Sequence, residues 1–181
     1  MDSRKIENEQ TLEQVKHMID DLSVDIESKK NGFVQYPTAN IDILKNLIIN
    51  SDFSFGRFDE QNNLSAFLLA YPIDQLSGEI VAKDPIINHI KQNEKYQANG
   101  IYLDMIGITE KLQGRTIGKN LLKEILSKAK EHGYTYITGP VIISPHKNTV
   151  SIKLFESLGG KLYEIFEYEG LVFGIYTCEL K

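Results

Sequence analysis

Apolar residues along this chain recur at two different periods, and the switch between them marks out its elements. Leu12, Val15, Ile19, Leu22 and Ile26 fall at the three- and four-residue steps of one helix face. The run Thr11-Leu12-Glu13-Gln14 reads as a capping box, in which the end side chains satisfy each other's backbone donors. A second helix turns Ile41, Leu44, Leu47 and Ile48 inward, with Asn40 placed to cap it. From Phe53 the period shortens to two. Phe53, Phe55 and the residues to Phe58, a turn at Asn62-Asn63 and the apolar run Leu64–Ile73 predict paired strands. Residues 74–100 break that rhythm, and Asp84-Pro85 followed by Ile86, Ile87, Ile90 and Tyr96 predicts a short helix.

A strand Ile101–Ile108 comes next, then an amphipathic helix Lys119–His132 stopped at Gly133. Tyr134–Ile143 is almost unbroken in β-formers, as suits a central strand covered on both faces. A last helix carries Val150, Leu154, Phe155 and Leu158 inward and ends at Gly159-Gly160. Strands Leu162–Tyr168 and Leu171–Glu179 close the chain as a hairpin turning at Glu169-Gly170. This order predicts an α/β (α+β) fold with a mixed central sheet and helices on both faces, as one domain over residues 1–181.

Composition narrows the function. The net charge of −5 argues against a general nucleic-acid binder, and an anionic ligand would have to be held by local donors rather than by the whole molecule. No apolar run approaches the ~20 residues of a membrane span. Met1-Asp2-Ser3-Arg4 opens the chain with charge rather than with an apolar signal core, so a cytoplasmic location is expected. The single cysteine, Cys178, excludes an internal disulfide and reads as buried filler. His17, His89 and His132 read as helix-surface residues, and no spacing suggests a metal site.

Candidate chemistry begins between the strand at 101–108 and the helix after it. Ile108-Thr109-Glu110-Lys111-Leu112-Gln113-Gly114-Arg115-Thr116-Ile117-Gly118-Lys119 places small residues and two cations at a helix start. Backbone amides and the helix dipole together favour a bound phosphate there. A Walker A loop is excluded, because Gly114 and Gly118 are one residue too close and Asn120 stands where a metal-binding hydroxyl is needed. Gly107, inside a strand, marks a bulge or a close backbone approach.

Gln113-Gly114-Arg115-Thr116-Ile117-Gly118 resembles the Gln/Arg-x-x-Gly-x-Gly/Ala loop of the GNAT acetyltransferase superfamily, with Thr116 at the first Gly. The shifted reading Arg115-x-x-Gly118-x-Asn120 keeps that Gly but loses the last small residue. One strand later, Asn148 to Gly159 resembles the superfamily's Asn-x-x-Ala-x-x-Leu-Tyr-x-x-x-Gly helix, with Ser151 for Ala and Phe155 for Tyr. The resemblance covers Ile101 to about Glu179 well and the first hundred residues by element order. It implies an acetyl-CoA-dependent N-acetyltransferase that works by direct transfer in a ternary complex, without a metal. It also implies splayed parallel strands at 101–108 and 134–143, with the pantetheine arm against Ile106, Gly107 and Ile108. The diphosphate would lie on Gln113, Gly114, Arg115, Thr116, Ile117, Gly118 and Lys119, with Asn148, Ser151 and Phe155 completing the cofactor site. The acceptor would be a small-molecule or protein amine, and the protein a monomer or homodimer.

Two catalytic candidates follow. Asp104 is an acid in an otherwise apolar strand and is the expected base, placed by alternation with Tyr102 and Ile106. The Ile108 N–H is the expected donor to the thioester oxygen. Phe155 departs from the family's tyrosine and cannot donate a proton. The thiolate would then leave without a dedicated acid, or Tyr163, Tyr168 or His146 would serve, or the chain binds acyl-CoA without turnover. The acceptor groove would involve residues 11–48, 76–100 and 162–179. Glu79, Asp84, Gln92, Asn93, Glu94, Glu164, Glu167 and Glu169 there form either a solvated face or a lining for a cationic amine.

Overall fold

A computed structural model describes residues 2–25, 32–34, 41–96 and 99–180. Its elements are β1 (Asp2–Lys5), α1 (Glu9–Leu22), β2 (Ser23–Val24), β3 (Phe33–Val34), α2 (Ile41–Asn50), β4 (Phe55–Phe58) and β5 (Leu64–Pro72). They continue with α3 (Gly78–Lys83), α4 (Pro85–Gln92), β6 (Gly100–Ile108), α5 (Ile117–Glu131), β7 (Tyr136–Ser144), α6 (Thr149–Glu156), β8 (Lys161–Tyr168) and β9 (Leu171–Glu179). Seven strands form one mixed sheet in the order β1-β4-β5-β6-β7-β9-β8, and β2 and β3 make a short parallel pair apart from it. The α/β expectation therefore holds, as do the hairpins. Glu169 and Gly170 turn the last one with φ of 47° and 82°, the left-handed pair that a two-residue loop requires.

The sheet separates two cores. On one face α1, α2 and α4 pack Leu12, Val15, Leu44, Ile48, Ile86, Ile87 and Ile90 against Phe67, Leu69, Tyr71 and Tyr102. On the other, α5 and α6 pack Leu121, Ile125, Ile152 and Phe155 against Ala66, Leu68, Leu103, Ile137 and Val141. Alternation along β5 and β6 feeds both cores, which is why neither strand carries a polar face.

Several expectations are corrected. Helix α1 is capped by Asn8, whose side chain accepts from the Thr11 N–H at 2.9 Å, so Thr11 lies inside the helix. Asn40 and Ile26 fall outside the described residues. Strand β1 was not expected, because Asp2-Ser3-Arg4-Lys5 has no apolar side chain to signal it. It pairs with β4 as an edge strand, where charge is tolerated. Residues 74–100 hold the expected helix as α4, which Asp84 caps by accepting from the Ile86 and Ile87 N–H groups at 2.9 Å, and one helix more than expected, α3, before it. Val150 is 58% exposed in the first turn of α6, and Ile152 takes the buried position in its place.

Candidate active site

Strands β6 and β7 run parallel and pair only at Gly100–Tyr136, Ile101–Ile137 and Tyr102–Thr138. Beyond Tyr102 they diverge, although both continue for several residues and each keeps its outer neighbour. Leu103 to Ile108 thus present backbone groups toward a gap in the middle of the sheet. An unpaired edge of this kind can take up an extended ligand through amide hydrogen bonds. At the apex Gly139 lies so near that a Cβ there would sit 2.5 Å from the Leu103 carbonyl oxygen and 3.2 Å from Phe155 Cζ. Only glycine lets β7 pass this close to the Leu103 carbonyl.

Asp104 lies just past the apex and is partly exposed. Leu103 pairs with Ala70 and Met105 with Leu69, so Asp104 is the extra residue of a β-bulge and has no partner in the ladder. The bulge is therefore at Asp104, not at Gly107, which pairs regularly with Phe67. Gly107 is required for a different reason. A Cβ there would meet the Phe67 ring at 2.2 Å. The bulge also overturns the alternation expected for β6. Asp104 shares a face with Tyr102 and Met105, whereas Ile106 and Ile108 join Leu103 on the α5 side.

The Tyr71 hydroxyl donates to Asp104 Oδ2 at 3.2 Å. Burial, with the neighbouring Asp84 carboxylate adding to it, pushes the Asp104 carboxyl from 3.8 up to about 7, while the Tyr71 hydrogen bond pulls the other way. Asp84 is itself 1% exposed, so it belongs to the interior and not to a solvated acidic face. Burial and the Asp104 charge together hold Tyr71 protonated, well above its ordinary range. A carboxyl poised near neutrality, beside a gap in the sheet, is suited to taking up a proton.

The loop from β6 to α5 starts with a 3-10 turn at Glu110–Leu112, and the Gln113 side chain donates back to the Ile108 carbonyl at 3.0 Å. Gly114 carries the positive φ, 74°, whereas Thr116 sits at φ −70°, a conformation any residue adopts. The β-branched side chain at Thr116 is accordingly no obstacle. Helix α5 opens without a side-chain cap, and its first intrahelical bond at this end is Asn120 N–H to the Thr116 carbonyl. The amides of Ile117, Gly118 and Lys119 face the loop unbonded within the helix, and Arg115 and Lys119 are exposed beside them. Gly118 seats the helix on β6, where a Cβ would lie 3.2 Å from Ile108 Cδ1. These residues fit an anionic diphosphate: donors, dipole and two cations converge.

Asn148 caps α6, accepting from the Ser151 N–H at 3.0 Å, and its own N–H reaches the Ile142 carbonyl at 3.0 Å. Phe155 is buried, its ring 5.8 Å from that of Tyr176. His146 stays in the loop before α6. Tyr163 and Tyr168 lie on β8, two strands from β7, and Tyr163 packs its ring 5.7 Å from that of Tyr96. His89 is not simply a surface residue of α4: it bonds Glu164 at 2.6 Å and stacks on Phe166. Among the described residues no group of acids, histidines and cysteine could hold a metal ion, and no helix is long and apolar enough to cross a membrane.

Residues 18–160 match the family model described as the acetyltransferase (GNAT) family. No curated protein matches the chain in sequence. Among solved structures, the NatC complex bound to Gag peptide and CoA contains a chain of 11% identity and TM-score 0.70, covering 99% of this chain and 98% of that one. The ribosomal-protein-S18-alanine N-acetyltransferase from Escherichia coli matches at 14% identity and TM-score 0.63, covering 99% and 93%. An agmatine N-acetyltransferase mutant matches at 12% identity and TM-score 0.70, covering 99% of both chains. At such identities the likeness is one of fold.

Proposed function

Because the chain belongs to the acetyltransferase (GNAT) family, we propose that it transfers an acetyl group from acetyl-CoA to a primary amine, with both substrates bound together. The observation that carries this reading is Asp104, lifted out of the ladder at the apex of the gap and poised at about 7. At neutral pH about half of such a carboxyl is ionised, so it can accept the proton that an alkylammonium must lose before attack. The backbone of Ile106, Gly107 and Ile108 pairs with the pantetheine arm, and the Ile108 N–H faces the thioester oxygen as it gains charge. The first-turn amides of Ile117, Gly118 and Lys119, with the Arg115 and Lys119 cations, hold the diphosphate. Gln113, Gly114 and Thr116 shape that loop, and Asn148, Ser151 and Phe155 border the thiol end. A thiol of ordinary pKa near ~8.5 leaves as thiolate without a dedicated acid, which accommodates Phe155. The acceptor is a small-molecule or protein amine; fold relatives are named for agmatine in one case and bound to a peptide in another.

Release of free CoA thiol from acetyl-CoA over a panel of amines tests the proposal. The wild type releases thiol with at least one amine. Asp104→Asn lowers kcat/KM about 100-fold or more, within the range for loss of a general base, and leaves the Kd for CoA unchanged. Full activity in Asp104→Asn would remove the assigned base.

Phe155 favours a second reading, an acyl-CoA-binding module without turnover, because the position carries no hydroxyl. Calorimetric binding of acetyl-CoA with no thiol release on any amine selects that reading.

A further inference from the structure

Two bulges in the main sheet each bring an acid to helix α4, one at either end. In β6 the extra residue is Asp104 itself, which faces the Asp84 carboxylate at the start of the helix. In β8 it is Tyr163. Leu162 pairs with Tyr176 and Glu164 with Ile175, so Tyr163 and Glu164 turn to the same side of the sheet. That side carries α4. Tyr163 packs on the Tyr96 ring, and Glu164 reaches the C-terminal end of the helix.

Glu164 holds that end with both oxygens. His89 Nε2 lies 2.6 Å from Oε1 and donates to it, because a carboxylate only accepts. Asn93 Nδ2 lies 3.5 Å from Oε2, and the amide is oriented by the Lys95 N–H, which donates to Asn93 Oδ1 at 3.1 Å. Residues four apart stand one turn above the other on a single helix face, so the two donors meet one carboxylate. The His89 ring also lies 4.6 Å from that of Phe166. At the opposite end the Asp84 carboxylate is tied to the Ile86 and Ile87 N–H groups. Between the two, Ile86, Ile87 and Ile90 are fully buried. Apolar burial has no direction, so the helix's place along its own axis is left to the polar contacts. Eight residues make α4 roughly 12 Å long, and a slide at one end arrives at the other.

We propose that Glu164 and His89 are positioning residues for the transfer reaction: by clamping α4 lengthwise they set where the Asp84 carboxylate stands against Asp104. The inference rests on Asp104 as the base. Asp84 from α4 raises the Asp104 carboxyl, and the Tyr71 hydroxyl from β5 lowers it. At the clamp, burial and the Glu164 charge keep Tyr96 protonated, and Lys95 turns its Nζ over the Tyr163 ring at 5.7 Å. Two carboxylates repel, so a released helix carries Asp84 away from Asp104 and the Asp104 carboxyl drops toward its ordinary range.

Two readouts across the same pH range test this. Carboxyl-carbon NMR of the aspartate-labelled full chain, without ligand, follows the Asp104 signal, assigned by its loss in Asp104→Asn. Release of CoA thiol gives kcat/KM. Glu164→Ala lowers the Asp104 midpoint by about half a pH unit or more, and the acid limb of kcat/KM moves toward acid with it. His89→Ala does the same, whereas His89→Gln, whose amide still donates to Glu164, keeps the wild-type midpoint. In an Asp84→Asn background Glu164→Ala adds no displacement, a result that general loosening of the fold would not give. An Asp104 midpoint unmoved in both alanine variants overturns the proposal. A displacement of equal size without the Asp84 charge overturns it too, because the clamp then acts by another route. A midpoint that moves while the acid limb stays fixed upholds the clamp and removes Asp104 as the base, which keeps the two failures apart.

Discussion

Replacing Tyr71 by Phe removes one hydroxyl and little else, since the ring is fully buried and keeps its packing. That hydroxyl donates to Asp104 Oδ2 at 3.2 Å and favours the ionised carboxylate. Hydrogen bonds to charged groups contribute about 1.5–3 kcal/mol. At 3.2 Å the lower end applies, and at about 1.4 kcal/mol per pKa unit the loss raises the Asp104 carboxyl by roughly one unit, from about 7 to ~8. The ionised fraction at pH 7 then falls from about a half to about a tenth. The kcat/KM of Tyr71→Phe should drop roughly fivefold at pH 7 and recover to within ~10% of wild type at pH 9. A thiol-release assay across pH 5.5–9.5 reads this as a one-unit alkaline displacement of the acid limb. An unmoved limb, or one displaced toward acid, refutes the assignment of Asp104 as the titrating base held by Tyr71.

Asp84→Asn should move the same limb toward acid, because the Asp84 carboxylate helps hold the Asp104 proton, while the cap on α4 is retained. Asp104→Asn should stabilise the fold: a carboxyl raised from 3.8 to about 7 contributes stability only below the lower value and loses it as pH climbs to the upper. Chemical denaturation should therefore find the variant more stable at pH 8 by up to ~4 kcal/mol, and indistinguishable near pH 3.5. Gly107→Ala forces a methyl against the Phe67 ring and should cost about 1–3 kcal/mol in the same assay. Phe155→Ala should leave substantial turnover, measured as thiol release, since its ring supplies no proton.

Periodicity carried most of the fold, because α1, α2, α5 and strands β5, β6, β7 and β9 each bury one face or both and their apolar residues report it. β1 escaped because an edge strand of Asp, Ser, Arg and Lys pairs through its backbone and through polar side chains, which leave no apolar period in the sequence. Val150 was misassigned because α6 starts so close to it that its side chain overhangs solvent. At the candidate site, Asp104 stood out as one acid in an apolar strand. Its partners did not: Tyr71 lies 33 residues away, and nothing in its own segment distinguishes it from a core tyrosine. The irregularity in β6 was sought at Gly107, the residue whose type advertises it, yet bulges need no special residue and this one fell on Asp104. His89 and Glu164, 75 residues apart, meet only because α4 crosses to β8.

The bulge at Asp104 has a reach beyond the carboxylate it displaces. One supernumerary residue reverses the parity of everything after it in β6, so Ile106 and Ile108 turn toward α5 instead of away. Ile108 is the residue on which Gly118 rests, and Gly118 fixes how the first turn of α5 meets the sheet. Drawing Asp104 back into the ladder at unchanged chain length would therefore do more than re-pair one residue. It would rotate the strand's exit by half a turn and unseat the helix start some ten residues downstream. The displaced Asp104 carboxyl and the seating of the α5 start are two outputs of a single frameshift in side-chain phase, and neither can be re-aimed without disturbing the other.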